Sequence, residues 1–141
     1  MSLNIAGIWY NQLGSVMEIS EHDSVISGKY HTAVGAPKGQ YQIVGRIDLN
    51  NTQNKAIGWT VVWENEFGSF DSVTTWSGQY QIVSGQEMII TTWLLTKETN
   101  PQDDWRSTLI GHDKFYRTPF TPEQIAFHKQ QGAQNSSPAI A

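Results

Sequence analysis

The chain has no cysteine, so disulfide frameworks, thiolate nucleophiles and cysteine-ligated metals are all excluded. It is also poor in charge. Only 16% of its residues are Asp, Glu, Lys or Arg, against about 25% in an average soluble domain. Lys and Arg number 9 against 13 Asp and Glu, for a formal charge of -4. That balance argues against a phosphate-binding surface and so against a nucleic-acid partner. No stretch approaches the ~18 unbroken apolar residues of a membrane helix, so no membrane partner is expected. Met1-Ser2-Leu3-Asn4 does not begin a basic segment followed by an apolar run, so no signal peptide is read here and the compartment stays open. Neutral polar groups and rings stand where the charges are missing. Ser, Thr, Asn and Gln supply 44 of the 141 residues, beside six Trp, five Tyr and five Phe. At the usual ~100–200 residues per domain, this is one domain's worth of chain.

Short stretches rich in Val, Ile, Thr, Tyr and Trp recur between Gly, Asn, Pro and Ser. They predict strands over 7–13, 15–20, 25–33, 40–49, 56–65, 70–80, 86–97 and 105–117. Nothing with helical period separates them, which excludes a crossover parallel sheet. The predicted fold is all-β, an eight-stranded antiparallel up-and-down β-barrel spanning 1–118. Closure leaves no bare edge; a two-sheet sandwich is the alternative. Residues 119–141 read as a C-terminal extension. Thr121-Pro122-Glu123-Gln124 has the features of a helix start, an N-cap Thr with Pro at the first helical position and Gln three residues after the cap, and Gly132 is a stop. A short helix is expected over 122–131, and a disordered tail over 133–141.

Period-two counting sorts the strand residues by face. Trp59, Val61 and Trp63 share one side, and their bulk makes it the interior. Ser72, Thr74 and Trp76 fall together, as do Trp9, Asn11 and Leu13, with Ser15 beyond the turn. Tyr30 pairs with Thr32, and Trp93 with Leu95; Leu109, Gly111, Asp113 and Phe115 form one more set. The interior therefore holds rings, several small polar groups and one carboxylate. A buried hydroxyl or amide without a partner costs roughly 1–3 kcal/mol, and a carboxylate more. For any one of these residues, a partner within the core or a buried water suffices. Seven of them beside several Trp describe a polar-lined ligand cavity. Asn, Ser and Tyr donate, while Asp and Thr accept. That set suits a planar C=O flanked by N–H groups, such as a urea or amide, with the rings enclosing an apolar remainder.

Five blocks carry a resemblance to a known family. They are Trp9-Tyr10-Asn11-Gln12-Leu13-Gly14-Ser15, Gly58-Trp59-Thr60-Val61, Thr74-Thr75-Trp76-Ser77-Gly78-Gln79-Tyr80, Trp93-Leu94-Leu95-Thr96 and Trp105-Arg106-Ser107-Thr108-Leu109-Ile110-Gly111-His112-Asp113. In this order, from about residue 5 to 117, they closely resemble the avidin and streptavidin family. The resemblance implies a biotin-binding barrel that uses biotin as a ligand and needs no cofactor. Asn11, Ser15 and Tyr30 would then donate to the ureido oxygen of biotin, by the logic of an oxyanion hole. Asp113 would accept from one ureido N–H and Thr32 from the other, with Asn11 also holding Asp113. Thr74 would face the ring sulfur. Trp63, Trp76 and Trp93 would form the walls, and Leu13, Val34 and Leu95 would fill gaps. Ser72 and the backbone N–H of Ala36 would meet the carboxylate of biotin. Trp105 implies a homotetramer in which it reaches a neighbour's site, with Thr92, Ile110 and His112 on faces between subunits. Thr32 stands where streptavidin has Ser and keeps the hydroxyl, whereas Ala36 and Pro37 depart from the pattern. The extension loosely resembles the C-termini of mushroom avidins (tamavidins), and the resemblance also implies secretion and a role in biotin sequestration.

An enzyme is the first rival. His22, His31, His112 and His128 are scattered, and neighbouring strand residues such as His112 and Asp113 point to opposite faces. There is no Gly-x-Ser-x-Gly elbow and no phosphate loop. The remaining alternative is a carrier or lectin-type module for another small molecule. A lectin would set its Trp on an exposed face, and a lipid carrier would have a greasier interior.

Overall fold

The structure is a computed structural model and describes residues 4–32, 40–50, 53–64 and 67–138. Eight strands follow one another: β1 (Gly7–Asn11), β2 (Val16–His22), β3 (Val25–His31), β4 (Tyr41–Ile47), β5 (Lys55–Glu64), β6 (Phe70–Val83), β7 (Gln86–Lys97) and β8 (Thr108–Tyr116). Each pairs antiparallel with the next. β8 returns to β1 through Tyr10↔Tyr116 and Asn11↔Phe115, which closes the barrel. The up-and-down barrel is thus the observed fold, and the sandwich is not.

Local chemistry sets the turns. Asp23 and Ser24 both have positive φ (50° and 67°), as do Ser84 and Gly85 (51° and 79°). Two consecutive left-handed residues make the tight hairpins whose twist matches the flanking strands. β1 ends at Asn11 rather than at 13, because the Asn11 side-chain oxygen accepts from the N–H groups of Leu13 (3.0 Å) and Ser15 (2.9 Å). The last strand starts at Thr108 rather than 105. Pro101, at the first helical position after Asn100, opens a 3-10 helix over Pro101–Arg106, and Trp105 lies in it. After β8, α1 (Pro122–Gln130) begins with the expected capping box. Thr121 accepts from the Gln124 N–H (3.1 Å), and the Gln124 side chain accepts from the Thr121 N–H (2.9 Å). It ends one residue short of the expected 131.

The inward faces are those the two-residue period gives. Trp9, Asn11, Ser15, Tyr30, Trp59, Val61, Trp63, Thr74, Trp76, Trp93, Asp113 and Phe115 are all buried. Leu109 shares that parity but lies at the rim and is 52% exposed. The two ends of the barrel differ. Ile5, Trp9, Ile26, Ile47, Ile57, Tyr80 and Ile89 fill one end with apolar bulk. Arg117 closes it. Its guanidinium lies 3.9 Å from the Trp9 ring centroid, pairs with Glu87 at 2.5 Å, and donates to the backbone carbonyls of Ala6 (2.9 Å) and Asn4 (2.8 Å). Arg117→Ala is expected to cost about 2 kcal/mol of unfolding free energy. Denaturant melts of the two proteins check this. The polar residues gather at the other end.

Candidate functional site

The open end is built from the β1–β2 turn, the end of β3, and the facing portions of β5 to β8. Because its oxygen is held by two backbone N–H groups, the Asn11 amide can only present its NH2 to the interior, and it donates to the Tyr30 hydroxyl at 3.3 Å. The Ser15 hydroxyl hydrogen-bonds the same phenol. Burial, reinforced by the negative charge of Asp113, pushes the Tyr30 hydroxyl well above its ordinary range, so it remains a proton donor. Three donor groups from separate turns and strands thus meet at one point.

Asp113, fully buried on β8, faces them. Gln12 donates to one carboxylate oxygen at 3.0 Å and the Trp76 indole to the other at 2.9 Å. Asn11 also bonds it. Burial raises the Asp113 carboxyl above the usual range, and its hydrogen-bond donors oppose that rise. Gln12 is the residue that sequence reasoning missed. It also donates to the His112 carbonyl (3.2 Å) and accepts from the Lys114 N–H (3.0 Å), clasping β8 across the barrel seam. It lies in a turn, where alternation assigns no face, so no periodic signal could have found it. The indole N–H of Trp76 was likewise not foreseen as a partner of Asp113.

The walls are aromatic. Tyr30 lies 5.7 Å from Trp63 and 5.1 Å from Trp76, centroid to centroid, and Trp59 stacks on Trp76 at 5.4 Å. Trp63 donates to the Thr74 hydroxyl at 2.7 Å. Trp93 lies against Gly111, where a Cβ would come within 2.1 Å of its ring. Leu13 and Leu95 are buried beside these groups, and Thr32 is half-buried at the rim. Among the described residues, the Ser72 hydroxyl and the Trp93 indole N–H are buried with no hydrogen-bond partner. Val34 and Ala36 lie outside the described residues. Trp105 does not join the site of its own chain. It is 79% exposed on the 3-10 helix, so it does not cover its own barrel mouth. Thr92, Ile110 and His112 face outward, with Thr92 bonded to His112 at 3.3 Å.

Over 133–138 the tail departs from the disorder expected for 133–141; residues 139–141 lie outside the described residues. Beyond α1 the chain lines a shared cavity with Gly111 and His112 through Ala133 and Gln134. It then enters the open end, where Ser136 and Ser137 are buried. Thr74 donates to the Ser136 carbonyl at 2.5 Å, the Ser136 hydroxyl bonds Tyr30 at 3.3 Å, and the Ser137 hydroxyl bonds Thr32 at 2.8 Å. A small, polar, ring-free segment reads as disorder by composition. Here the barrel supplies the partners that such a segment cannot supply for itself.

The family profile of the avidins matches residues 1–118. The chain belongs to the avidin family. Avidin-family proteins are biotin-binding, non-enzymatic proteins, usually oligomeric. The chain is 31% identical to avidin-related protein 4/5 of Gallus gallus over 120 residues, which is 81% of this chain and 77% of that protein. It is 31% identical to fibropellin-1 of Strongylocentrotus purpuratus over 122 residues, 81% of this chain but only 11% of that much longer protein. Afifavidin of Afifella pfennigii is 30% identical over 95 residues, covering 64% of this chain and 57% of afifavidin. Of the site residues that the avidin resemblance implies, Asn11, Leu13, Ser15, Tyr30, Thr32, Trp63, Ser72, Thr74, Trp76, Trp93, Leu95 and Asp113 are all placed at one barrel end.

Proposed function

We propose that this avidin-family barrel, over 1–118, binds biotin tightly and without catalysis in its open, Trp-walled end. The observation that carries the reading is the convergence of Asn11, Ser15 and Tyr30 opposite the buried acceptor Asp113. Three neutral donors favour an oxygen with partial negative charge, and a carboxylate facing them favours a neighbouring N–H. A cyclic urea has both, in one plane. Thr32 accepts the second ureido N–H, and Thr74 faces the ring sulfur. Trp63, Trp76 and Trp93 enclose the bicycle and the start of its chain. The biotin carboxylate reaches the rim, where the partnerless Ser72 hydroxyl receives it. Sequestration of biotin is the role such a site serves.

Titration with biotin while recording tryptophan emission tests the reading. A sharp break near one biotin per chain is expected, because the ligand lies against three indoles. A flat response, with no competition against a labelled biotin, would remove it.

The assembly follows from the exposed ring. We place Trp105 at a neighbour's site in a homotetramer, with Ile110 and Leu94 among the outward apolar residues available to the contacts between subunits. Trp105→Ala is expected to speed biotin dissociation by about 10–100-fold, an effect of roughly 1.5–3 kcal/mol for one buried aromatic wall. The isolated barrel should keep its far-ultraviolet spectrum. Dissociation rates equal to those of the parent protein would place Trp105 outside the site.

A further inference from the structure

Strand register puts one charge on the inward side of the barrel mouth. Residues directly opposite one another in an antiparallel pair project from the same face of the sheet. Trp63 on β5 stands opposite Ser72 on β6, and Ser72 stands opposite Lys97 on β7. Lys97 also continues the inward alternation of β7 after Trp93 and Leu95, which are both buried. It is the last residue of that strand and is exposed, so its stem starts at the rim of the cavity. Among the described residues, its ammonium makes no hydrogen bond or ion pair. Arg106 lines the same surface depression beside the 3-10 helix, but Asp103 answers it at 3.4 Å. Ser72 is 6% exposed, and its hydroxyl has no partner. A dry hydroxyl and an unpaired cation thus stand side by side on neighbouring strands at the mouth.

We propose that Lys97 is a specificity-determining residue of the biotin site: beside the Ser72 hydroxyl, it selects the free monocarboxylate over biotin whose carboxyl is tied up in an amide, as when it is joined to a lysine of a carrier protein. The identity of the ligand rests on the proposed function; the position of the charge rests on the register. A carboxylate at the rim accepts from the Ser72 hydroxyl and meets the ammonium, and both contacts are charge-assisted. An amide is neutral, so it keeps only a weaker bond to the hydroxyl and gains nothing from the cation. The flexible four-carbon stem lets the ammonium follow the ligand without a fixed geometry. Glu98 lines the same depression. With Arg106 already answered by Asp103, this part of the rim would be negative without Lys97 and would repel an acid. The formal charge of -4 on the whole chain acts in the same direction. The ammonium lies in solvent, so its effect is that of a rim ion pair, modest in size and screened by salt.

The test uses the full chain and two ligands, biotin and biotinamide, in which a primary carboxamide of nearly the same size replaces the carboxylate. Each competes against tritiated biotin. The parent protein is expected to bind the acid about tenfold more tightly than the amide at low salt. Raising the salt to about 0.5 M is expected to cut that ratio to about threefold. Lys97→Gln is expected to bring the two ligands within about twofold of each other, and Lys97→Arg to restore most of the preference. Arg106→Gln removes a nearby charge that is already paired, and the ratio is expected to stay near tenfold. A parent protein that binds both ligands equally, or a Lys97→Gln protein that keeps the full ratio, overturns the role of Lys97 and leaves the proposed function standing. An equal loss of the ratio in Arg106→Gln and Lys97→Gln assigns the preference to the rim's charge as a whole and likewise overturns it. A parent protein that binds neither ligand overturns the proposed function itself.

Discussion

Replacing Asp113 with Ala is expected to weaken biotin binding by about 3–4 kcal/mol, a rise in Kd of a few hundredfold. The carboxylate is fully buried and held by Gln12 at 3.0 Å and Trp76 at 2.9 Å, so it is fixed before the ligand arrives. Removing it takes a charge-assisted bond from one ureido N–H. That N–H is then left dry, which carries the further cost of an unmade hydrogen bond. Asp113→Asn separates the two contributions. Its amide oxygen still accepts, but without the charge, so an intermediate loss of about 1–2 kcal/mol is expected. Competition against labelled biotin reads both values, and circular dichroism shows whether the barrel is intact. An Asp113→Ala protein that binds biotin as tightly as the parent would take this residue out of the site.

The second large effect is expected at Gly111. An added Cβ would come 2.1 Å from the Trp93 ring at one atom and 2.5 Å at the next. No side-chain adjustment of a buried indole relieves such an overlap without repacking its neighbours. Gly111→Ala is therefore expected to cost about 3 kcal/mol of stability, at the upper end of ordinary overpacking. It should also weaken biotin binding at least tenfold, since Trp93 is one of the three walls. Denaturant melts and the same competition assay measure the two effects separately. Stability within about 0.5 kcal/mol of the parent protein, the range of an ordinary surface change, would show that Trp93 does not rest on this glycine.

Most of the barrel, and the face on which the candidate site residues lie, could be read from the sequence because one rule governs both. In a strand, alternate residues share a face, so Trp59, Val61 and Trp63 identify the interior, and Thr74, Tyr30 and Asp113 follow by parity onto the same side. What the rule cannot reach is what does not alternate. Gln12 lies in the Asn11–Ser15 turn, where backbone direction reverses within four residues, and its grip on Asp113 depends on the seam between β1 and β8, 101 residues apart in sequence. The sequence pattern puts Trp105 at the head of a strand, but Pro101 winds that segment into a 3-10 helix. Arg117 passes for a surface charge until the ends of the barrel are seen to be different. The burial of Ser136 and Ser137 had no sequence signal at all. Neither residue has a hydrophobic reason to be inside, and their partners lie about a hundred residues (Tyr30, Thr32) and 62 residues (Thr74) away.

A crystal structure of the full chain grown with excess biotin would show directly whether the open barrel end holds the ligand. The ureido oxygen is expected within hydrogen-bond distance of Asn11, Ser15 and Tyr30, with one ureido N–H on Asp113 and residues 135–138 withdrawn from the barrel. Biotin bound elsewhere on the molecule, or a barrel still filled by Ser136 at saturating biotin, would contradict it.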